Sequence, residues 1–597
     1  MPLNIEDYAL IGDLHTGALV GNDGSIDWLC LPRFDSASTF GALLGDKHHG
    51  RWLLAPVDQT ATHARTYRGD SLILETIWET SEGAVQVLEY MALNNRRADV
   101  VRRIKGLRGS VQMNQEILIR FDYARSLPWL QRHSESRELC LIATAGPDSV
   151  VYRGPNLKAE GNAHKAQFAI SEGQTIDIEL TWYPSHRDAP PAIDHHDTFE
   201  HTIDRWETWA SACTVRGRYS SIVKRSLILL RALTHEDTGG IVAAATTSLP
   251  EQFGGSRNWD YRYVWLRDAS LTLSVFIENG LTEEAERWRQ WLLRAIAGDP
   301  KDIQIMYGLA GERILTEQEL PQFPGYRAAS PVRIGNGAFT QYQGDVLGEL
   351  MVALDDARAA GVPETKFSWP LQRALLDGLI ANHDRPDNGI WEIRGEQRYF
   401  TQSRVMAWAA LDRGVRAVRE FGLKGPADKW AATRDKIRDE IESKGFDTES
   451  NTYVQYYGTT AVDASLLLLP QVGYCAPDDP RMLGTVAAIE KDLITDGFVF
   501  RYRTESSVDG LPPGEYPFLA CSFWLVEQYA RSGRIADGYE LMDRLVALRN
   551  DVGMLSEEYD PKSGHQAGNT PQALSHLTLI RAAIALADAD PDSSPAA

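Results

Sequence analysis

Two glutamates far apart in the sequence stand in segments that are typical of loops between helices. Glu392 ends the segment Asn-Gly-Ile-Trp-Glu (388–392), and Glu557 lies within Gly-Met-Leu-Ser-Glu-Glu-Tyr-Asp (553–560). Two carboxylates that converge from distant loops among aromatic residues are what the hydrolysis of a glycosidic bond needs, because one acts as an acid and the other as a base. The elements around these loops must therefore bring both side chains to one place.

The composition is typical of a soluble globular protein. The 597 residues are enough for two or more domains, and 43% of them are hydrophobic while 24% are charged. The net charge of −21 argues against nucleic acid as a partner, because phosphate binding needs a basic face. No uninterrupted apolar run of about 18 residues is present, so we expect no membrane span.

The five cysteines and the first residues of the chain predict a cytoplasmic protein. The cysteines are scattered and odd in number, which argues against a disulfide framework or a zinc site. The chain does not begin with a basic segment followed by an apolar one, so no signal peptide is visible. The sequence leaves the oligomeric state open, and a homo-oligomer is compatible with it.

No segment predicts a cofactor or a metal ion. The run Asp-His-His-Asp (194–197) has the residue types of metal ligands but lacks the spacing of a zinc enzyme. No phosphate-binding loop, nucleophile elbow or dinucleotide fingerprint follows a predicted strand. We therefore expect chemistry that uses side chains alone.

The periodicity of the hydrophobic residues changes near residue 195 and divides the chain in two. Before it, short and largely alternating segments such as 176–182 are separated by Gly, Asp, Asn and Pro, which predicts an all-β sandwich over 1–195. A linker helix is expected over 196–217 and a helical catalytic domain over 218–588. The last residues, 589–597, have the composition of a disordered tail.

The helical part contains twelve predicted helices whose connections alternate in length. Long connections rich in Trp, Tyr, Gly, Arg and Asp alternate with short ones, so the helix pairs are expected to close into an (α/α)6 barrel with its long loops at one mouth. A helical solenoid is the alternative, but no repeat of fixed period is visible. The predicted helices are 218–236, 268–280, 282–297, 340–360, 366–383, 402–421, 425–444, 462–470, 480–491, 518–531, 534–547 and 571–587.

The barrel would place the two glutamates on opposite sides of one mouth. Glu392 lies in the loop after the fifth predicted helix and Glu557 in the loop after the eleventh. In a ring of twelve helices these two loops face each other. The predicted barrel would therefore bring both carboxylates to one pocket, as the hydrolysis of a glycosidic bond requires.

A further motif stands after the first predicted helix, Tyr-Val-Trp-Leu-Arg-Asp (263–268). Together with Ile-Trp-Glu (390–392) and Ser-Glu-Glu-Tyr-Asp (556–560), in this order, it resembles glycoside hydrolase family 15. This family contains the glucoamylases, the glucodextranases and the bacterial trehalases. The opening residues, from Ile-Gly-Asp (11–13) to Pro-Arg-Phe-Asp-Ser (32–36), resemble the N-terminal β domain of its bacterial members. The resemblance covers nearly the whole chain.

The resemblance implies a role for each residue of these motifs. Arg267 and Asp268 match the pair that binds the hydroxyls of the non-reducing glucose, which an arginine beside a carboxylate can satisfy. Trp265 would form an apolar wall for the sugar ring. Glu392 matches the general acid, and its neighbour Trp391 would raise its pKa by removing water.

Glu557 matches the general base, which takes the proton of the attacking water. Glu558 is its rival, although the family pattern favours Glu557. One position departs from the fungal glucoamylases, because Ile393 stands where they have a second carboxylate directly after the acid. This difference argues mildly against a glucoamylase of the fungal type.

Further candidate sugar contacts stand in the loops before the fourth and tenth predicted helices and near residue 307. They have the residue types that line sugar pockets, an aromatic ring for a wall and polar groups for hydroxyls. Arg503 is the alternative to Arg501. The candidates are Tyr307, Arg333, Asn336, Arg501 and Glu515.

The residues and the resemblance together predict an inverting, exo-acting α-glucoside hydrolase whose two carboxyl groups lie about 6.5–9.5 Å apart. Because a cytoplasmic enzyme needs a small soluble substrate, we expect a trehalase, which cleaves trehalose into two glucose molecules. The alternative is a glucoamylase-like α-1,4- or α-1,6-glucosidase acting on malto- or isomalto-oligosaccharides. A non-catalytic carbohydrate-binding protein is less favoured, because the acid, base and sugar-binding positions all carry competent residues.

Overall fold

Antiparallel strands fill the first third of the chain in the computed structural model, which describes residues 2–93, 97–135, 138–297 and 302–591. Within these residues, fifteen strands of one connected sheet precede the first long helix. They are β1 (Tyr8–Gly12), β2 (Gly17–Gly21), β3 (Ser25–Cys30), β4 (Ser38–Phe40), β5 (Arg51–Pro56), β6 (Thr62–Tyr67), β7 (Leu74–Glu79), β8 (Gly83–Met91), β9 (Ala98–Leu118), β10 (Trp129–Glu135), β11 (Glu138–Ala145), β12 (Asp148–Arg153), β13 (Lys158–Glu160), β14 (Ala163–Ser171) and β15 (Thr175–Pro184).

The long strand β9 joins two antiparallel sheets. Its first half pairs with β8 and β15, and its second half pairs with β5 and β14. Buried and half-buried residues alternate along β5, as they do in a strand with one face on a core. The inner faces meet where the rings of Trp52 and Tyr152 lie 6.3 Å apart. The predicted all-β N-terminal domain is confirmed.

Helices make up most of the remaining chain. In the described residues they are α1 (His195–Ser211), α2 (Ser220–Ala232), α3 (Leu266–Glu278), α4 (Thr282–Ala295), α5 (Val346–Ala359), α6 (Ser368–Asn382), α7 (Thr401–Arg419), α8 (Ala427–Lys444), α9 (Pro480–Leu493), α10 (Leu519–Arg531), α11 (Ile535–Val546) and α12 (Ala573–Ala589). None of these described helices has the length and apolar content that crossing a bilayer requires.

Six helical segments form a closed inner ring. In order they are α3, α5, α7, the 3₁₀ helix Ala464–Leu468, α10 and α12, and α12 returns to contact α3. The helices α2, α4, α6, α8, α9 and α11 each pack on the outside of one of them. The inner α10 is buried along nearly its whole length, whereas the outer α8 buries only a stripe of four residues, as inner and outer helices must. This ring is the predicted barrel.

Two predicted helices differ from the structure. The eighth, predicted over 462–470, is only the five-residue 3₁₀ helix Ala464–Leu468, which Asp463 caps and Pro470 follows. Proline cannot supply the N–H group that would continue a helix, so the apolar run stops there. The fourth begins at Val346 rather than 340, because the N–H of Gly344 donates to the carboxylate of Asp387 (2.6 Å) instead of joining a helix.

Short β-ribbons stiffen the connections between the barrel helices. Each has two antiparallel strands of two or three residues. The pairs are β16 (Val264–Trp265) with β17 (Met306–Tyr307), β18 (Gln318–Glu319) with β19 (Arg333–Ile334), β20 (Phe446–Asp447) with β21 (Thr452–Tyr453), β22 (Ile494–Thr495) with β23 (Phe498–Val499), and β24 (Glu558–Asp560) with β25 (His565–Ala567).

The β domain packs against the loop that enters α3. Arg262 is fully buried, pairs with Asp260 (2.7 Å) and donates to the carbonyl of Ser36 (2.8 Å). The indole N–H of Trp28 donates to the carbonyl of Ala245 (2.9 Å). Asp260 also accepts from the N–H of Gly335 (3.2 Å), so the β domain supports two barrel loops at once.

Candidate active site

A pocket of about 850 Å³, counted with its open mouth, lies at the N-terminal ends of the inner helices α3, α10 and α12. Glu392 reaches it from the connection between α6 and α7, and Glu557 reaches it from the connection between α11 and α12. The two glutamates singled out by the sequence thus line one pocket. The predicted site residues that line it are Trp265, Arg267, Asp268, Asn336, Trp391, Glu392, Arg501 and Glu557.

Glu392 lies beside Trp265, Arg267 and Gln343. The indole N–H of Trp265 donates to Oε1 (2.6 Å), and Nη2 of Arg267 lies 3.8 Å from the same atom. Burial raises the pKa of Glu392, and the nearby charge of Asp268 also raises it, while Arg267 and Trp265 act in the opposite direction. A hydrogen bond from the side chain of Gln343 also lowers the pKa of Glu392.

The backbone of the Glu392 loop is held in an unusual conformation. Glu392 has φ of +56°, which costs a residue with a side chain about 1–2 kcal/mol. The amide of Asn388 donates to the carbonyl of Ile393 (2.9 Å), and the amide of Gln341 donates to the carbonyl of Glu392 (3.1 Å). Arg267 donates to the carbonyl of Ile390 (2.8 Å). These bonds hold Glu392 against the start of α3.

Glu557 is nearly inaccessible, with 2% of its surface exposed. The hydroxyl of Tyr261 donates to its Oε1 (2.6 Å). Burial and the charge of Glu251 raise the pKa of Glu557 to about 8, against the effect of Arg501. Burial, followed by the charge of Glu557, also raises the pKa of Tyr261 well above its usual value, so the phenol stays a donor.

Glu558 points away from the pocket. It is fully buried, it is absent from the pocket wall, and neither carboxylate oxygen has a hydrogen-bond partner among the described residues. Burial, with the charges of Glu251 and Glu557, raises its pKa well above the usual value. Of the two adjacent carboxyls, only Glu557 lines the pocket and can take a proton from a water molecule there. This supports Glu557 as the base.

Buried charges stand behind the base. Arg501 pairs with Glu515 and with Glu251 (2.8 Å), and Arg257 pairs with Asp509 (2.6 Å). Arg501 and Arg257 line the pocket, whereas Glu515 lies behind them and pairs with Arg501 and Arg257 (3.7 Å).

Arg503, the alternative to Arg501, is placed elsewhere. It is 41% exposed and faces Asp492 (3.6 Å), away from the pocket wall. The structure therefore favours Arg501 as the sugar contact.

Three other predicted residues take different places. Tyr307 is fully buried against Trp291, with 6.0 Å between ring centroids, so the prediction that it forms a pocket wall is not supported. Arg333 does not line the pocket and lies 4.7 Å from the ring centroid of Trp259. Asn336 lines the pocket, but its side chain accepts from the N–H of Ala338 (2.9 Å), which gives it a structural role as well.

Several pocket residues escaped the sequence reasoning. Tyr261 and Trp259 stand within ten residues of the Trp265 motif, so the density of aromatic residues there was a usable signal. Glu251 lies in a stretch without any motif, and only its contacts identify it. Arg394 follows the acid by two residues and lines the pocket mouth.

Three carboxylates come close enough together to hold a cation. Glu251, Glu557 and Glu558 each bring one oxygen within 4.8 Å of the others. Glu251 already accepts from Arg501 (2.8 Å) and from the indole of Trp259 (3.0 Å), so a positive charge is supplied by the protein itself. In the discounted Asp-His-His-Asp run, the first residue caps α1.

Comparison with known proteins agrees with this geometry. Residues 217–584 match the model of the glycosyl hydrolases family 15, and residues 1–181 match that of the trehalase-like N-terminal domain. A trehalase of Mycobacterium tuberculosis is 36% identical, over 99% of this chain and 91% of that protein. A trehalase of Thermoplasma acidophilum is 32% identical, over 96% of this chain and 98% of that protein.

A solved structure shares the fold. It is a bacterial glucoamylase complexed with acarbose, which matches 98% of this chain and 94% of its own with a TM-score of 0.74 and 14% identity. With the two family models and the full-length relatives, the conclusion is direct: this chain is a glycoside hydrolase that belongs to family 15.

Proposed function

We propose that this enzyme hydrolyses trehalose, the α,α-1,1-linked disaccharide of glucose, with inversion at the anomeric carbon. The observation that carries the chemistry is that Glu392 and Glu557, from distant loops, line one pocket. The cation of Arg267 lies beside Glu392, whereas other carboxylates lie beside Glu557. The substrate is supported by full-length similarity to proteins named trehalases. A pocket, rather than an open groove, suits an enzyme that removes a terminal sugar.

Glu392 acts as the general acid. Its Oε2 gives a proton to the glycosidic oxygen, because Oε1 is already occupied by the N–H of Trp265 (2.6 Å). The carboxylate that results is stabilised by the same N–H and by Arg267, 3.8 Å away. Trp265 and Arg267 therefore bind Glu392 most strongly after it has given up its proton.

Glu557 acts as the general base for water that attacks the opposite face of the ring. Tyr261 holds one of its oxygens (2.6 Å), which leaves the other for the water. Glu558 keeps its proton, so only one of these two adjacent carboxyls is negative. In an inverting enzyme the acid and base lie about 6.5–9.5 Å apart, and we propose this separation here.

The remaining polar groups bind the terminal glucose and stabilise its transition state. Arg267 and Asp268, 3.3 Å apart at the start of α3, present donors and an acceptor to adjacent hydroxyls. Trp265 and Trp391 add apolar walls. The positive charge that develops on the sugar ring is favoured by Asp268 and Glu251.

The domain division and the location are proposals as well. We propose a β domain over 1–195, a linker helix over 196–217 and a catalytic barrel over 218–588. Cys30, Cys213, Cys475 and Cys521 are free thiols, which supports a cytoplasmic location, because thiols persist in a reducing compartment. Trehalase activity confined to the soluble cytoplasmic fraction of the source cells is the expected result.

The decisive test is release of glucose from trehalose, maltose, isomaltose and soluble starch, with the first product anomers followed by NMR. Trehalose is expected to be cleaved fastest, giving one β-glucose and one α-glucose per bond before mutarotation. Faster cleavage of maltose, isomaltose or starch would overturn the trehalose assignment. Production of α-glucose alone would overturn inversion.

A further inference from the structure

A rigidly held arginine stands at the mouth of the pocket, two residues after the acid. Arg394 lines the pocket, and its side chain is 33% exposed. Its guanidinium lies over the ring of Trp259, 4.1 Å from the centroid. Its Nη2 and Nη1 donate to the two oxygens of Glu317 (2.7 and 3.2 Å). A planar guanidinium held on one face and along one edge has little freedom left.

The two groups that hold Arg394 are themselves fixed. Glu317 accepts from the N–H of Gly337 (3.0 Å), and the indole N–H of Trp259 donates to Glu251 (3.0 Å). A second guanidinium, that of Arg333, lies 4.7 Å from the centroid of the same ring. The cluster is therefore organised before any ligand arrives, which reduces the entropy lost on binding.

The backbone fixes Arg394 relative to the acid. Its N–H donates to the carbonyl of Asp509 (2.8 Å), so the segment after Glu392 is tied to the segment that carries the pocket residue Leu511. Ile393 is 1% exposed and points into the protein. The next side chain, the cation of Arg394, lines the pocket instead.

The position of Arg394 matches the place of the departing sugar. Glu392 must protonate the oxygen between the two sugars, so the leaving ring lies on the acid side of the pocket, toward the mouth. We propose that Arg394, held by Glu317 and Trp259, binds hydroxyls of this leaving sugar and so determines which second ring is accepted. This inference rests on the proposed function, because it needs a substrate with a second ring.

The test compares two substrates that share the terminal glucose but differ in the leaving group. The leaving group of trehalose is glucose, whereas that of α-glucosyl fluoride is fluoride. The fluoride substrate therefore has no second ring for Arg394 to bind. In Arg394→Ala, kcat/KM for trehalose is expected to fall about 10- to 100-fold, which is the usual effect of losing a charged hydrogen bond. For the fluoride it is expected to change less than about twofold.

Two further variants sharpen the test. Glu317→Gln loosens Arg394 without removing it, so a smaller loss on trehalose alone is expected. Arg534→Ala is the matched control, because Arg534 lies 4.1 Å from the ring centroid of Tyr529 and pairs with Glu490 (2.6 Å), outside the pocket. Neither substrate should respond to that change.

The outcomes separate this inference from the function on which it rests. Equal losses on both substrates in Arg394→Ala, or no loss on trehalose, would overturn the role of Arg394. If the unaltered enzyme cleaves α-glucosyl fluoride but not trehalose, the proposed substrate fails. The loss of kcat/KM in Arg394→Ala is then measured for whichever disaccharide is cleaved and compared with the loss for α-glucosyl fluoride. Equal losses on these two substrates overturn the inference.

Discussion

The two sides of the pocket hold their glutamates under different conditions. Glu392 keeps 21% of its side chain exposed and lies beside the donors Trp265 and Gln343 and the cation of Arg267. Glu557 is 2% exposed and stands among other carboxylates, with Glu251 and Glu558 within 4.8 Å. Burial raises the pKa on both sides, and a nearby carboxylate raises it further on each side, Asp268 for Glu392 and Glu251 for Glu557. The two sides differ in the charge that acts most strongly after burial, because Arg267 lowers the pKa of Glu392 whereas Glu251 raises the pKa of Glu557.

The largest expected effect comes from replacing either of the two glutamates. Glu392→Gln and Glu557→Gln are each expected to lower kcat on trehalose by roughly 100- to 10,000-fold, because each removes one proton-transfer group. On α-glucosyl fluoride, Glu392→Gln should keep most of its activity, since fluoride leaves without full protonation. Glu557→Gln should lose activity on both substrates. The reverse pattern would exchange the two roles, and unchanged thermal unfolding checks that both variants fold.

The next effect concerns the donor on the base side. Tyr261→Phe removes the hydroxyl that donates to Glu557 and is expected to lower kcat/KM roughly 100-fold. The lost bond stabilised the ionised base, so the pKa of Glu557 rises. Activity that needs the ionised base disappears as the pH falls through this pKa, so the acidic limb of the pH profile moves to higher pH. A limb that stays in place would show that Tyr261 only fills space.

The equivalent change beside Glu392 moves the alkaline limb of the pH profile. Trp265→Phe removes the N–H that donates to Glu392 but keeps an aromatic wall, and roughly 10-fold lower kcat/KM is expected. The ionised acid loses a donor, so the pKa of Glu392 rises. Activity that needs the protonated acid is lost as the pH rises through this pKa, so the alkaline limb moves to higher pH. Movement of the acidic limb instead would contradict the assignment of the acid.

The smallest effect is expected at Glu558. If this residue already holds its proton, Glu558→Gln replaces one neutral group by another of similar size, and kcat should change less than about threefold. The melting temperature should stay or rise, because the buried oxygens have no partner to lose among the described residues. A loss as large as that of Glu557→Gln would show that Glu558 is ionised and takes part in catalysis.

The prediction of the helices shows where local pattern suffices. The spacing of apolar residues predicted most ends of eleven barrel helices to within a few residues, because each helix carries its own periodicity and stop signals. It was wrong at 462–470, where an apolar run looks helical but only the 3₁₀ helix Ala464–Leu468 forms before Pro470. Full burial removes the alternation on which such a prediction depends.

The amino-acid sequence alone identified the site residues that are neighbours in the chain. Arg267 stands next to its partner Asp268, and Glu392 stands next to Trp391, which lines the same pocket, so short motifs are enough to identify them. It also determined the class of fold, since a β part and a ring of paired helices follow from periodicity and loop length.

The tertiary structure decided which groups act on these residues. Trp265 and Glu392 are 127 positions apart, and Tyr261 and Glu557 are 296 apart, so no local pattern records either bond. The choice of Glu557 over Glu558 depends on which side chain enters the pocket, and the place of Arg394 depends on Glu317 in another loop. Contacts between distant segments exist only once the barrel has closed, and these contacts set the charge around the reacting atoms.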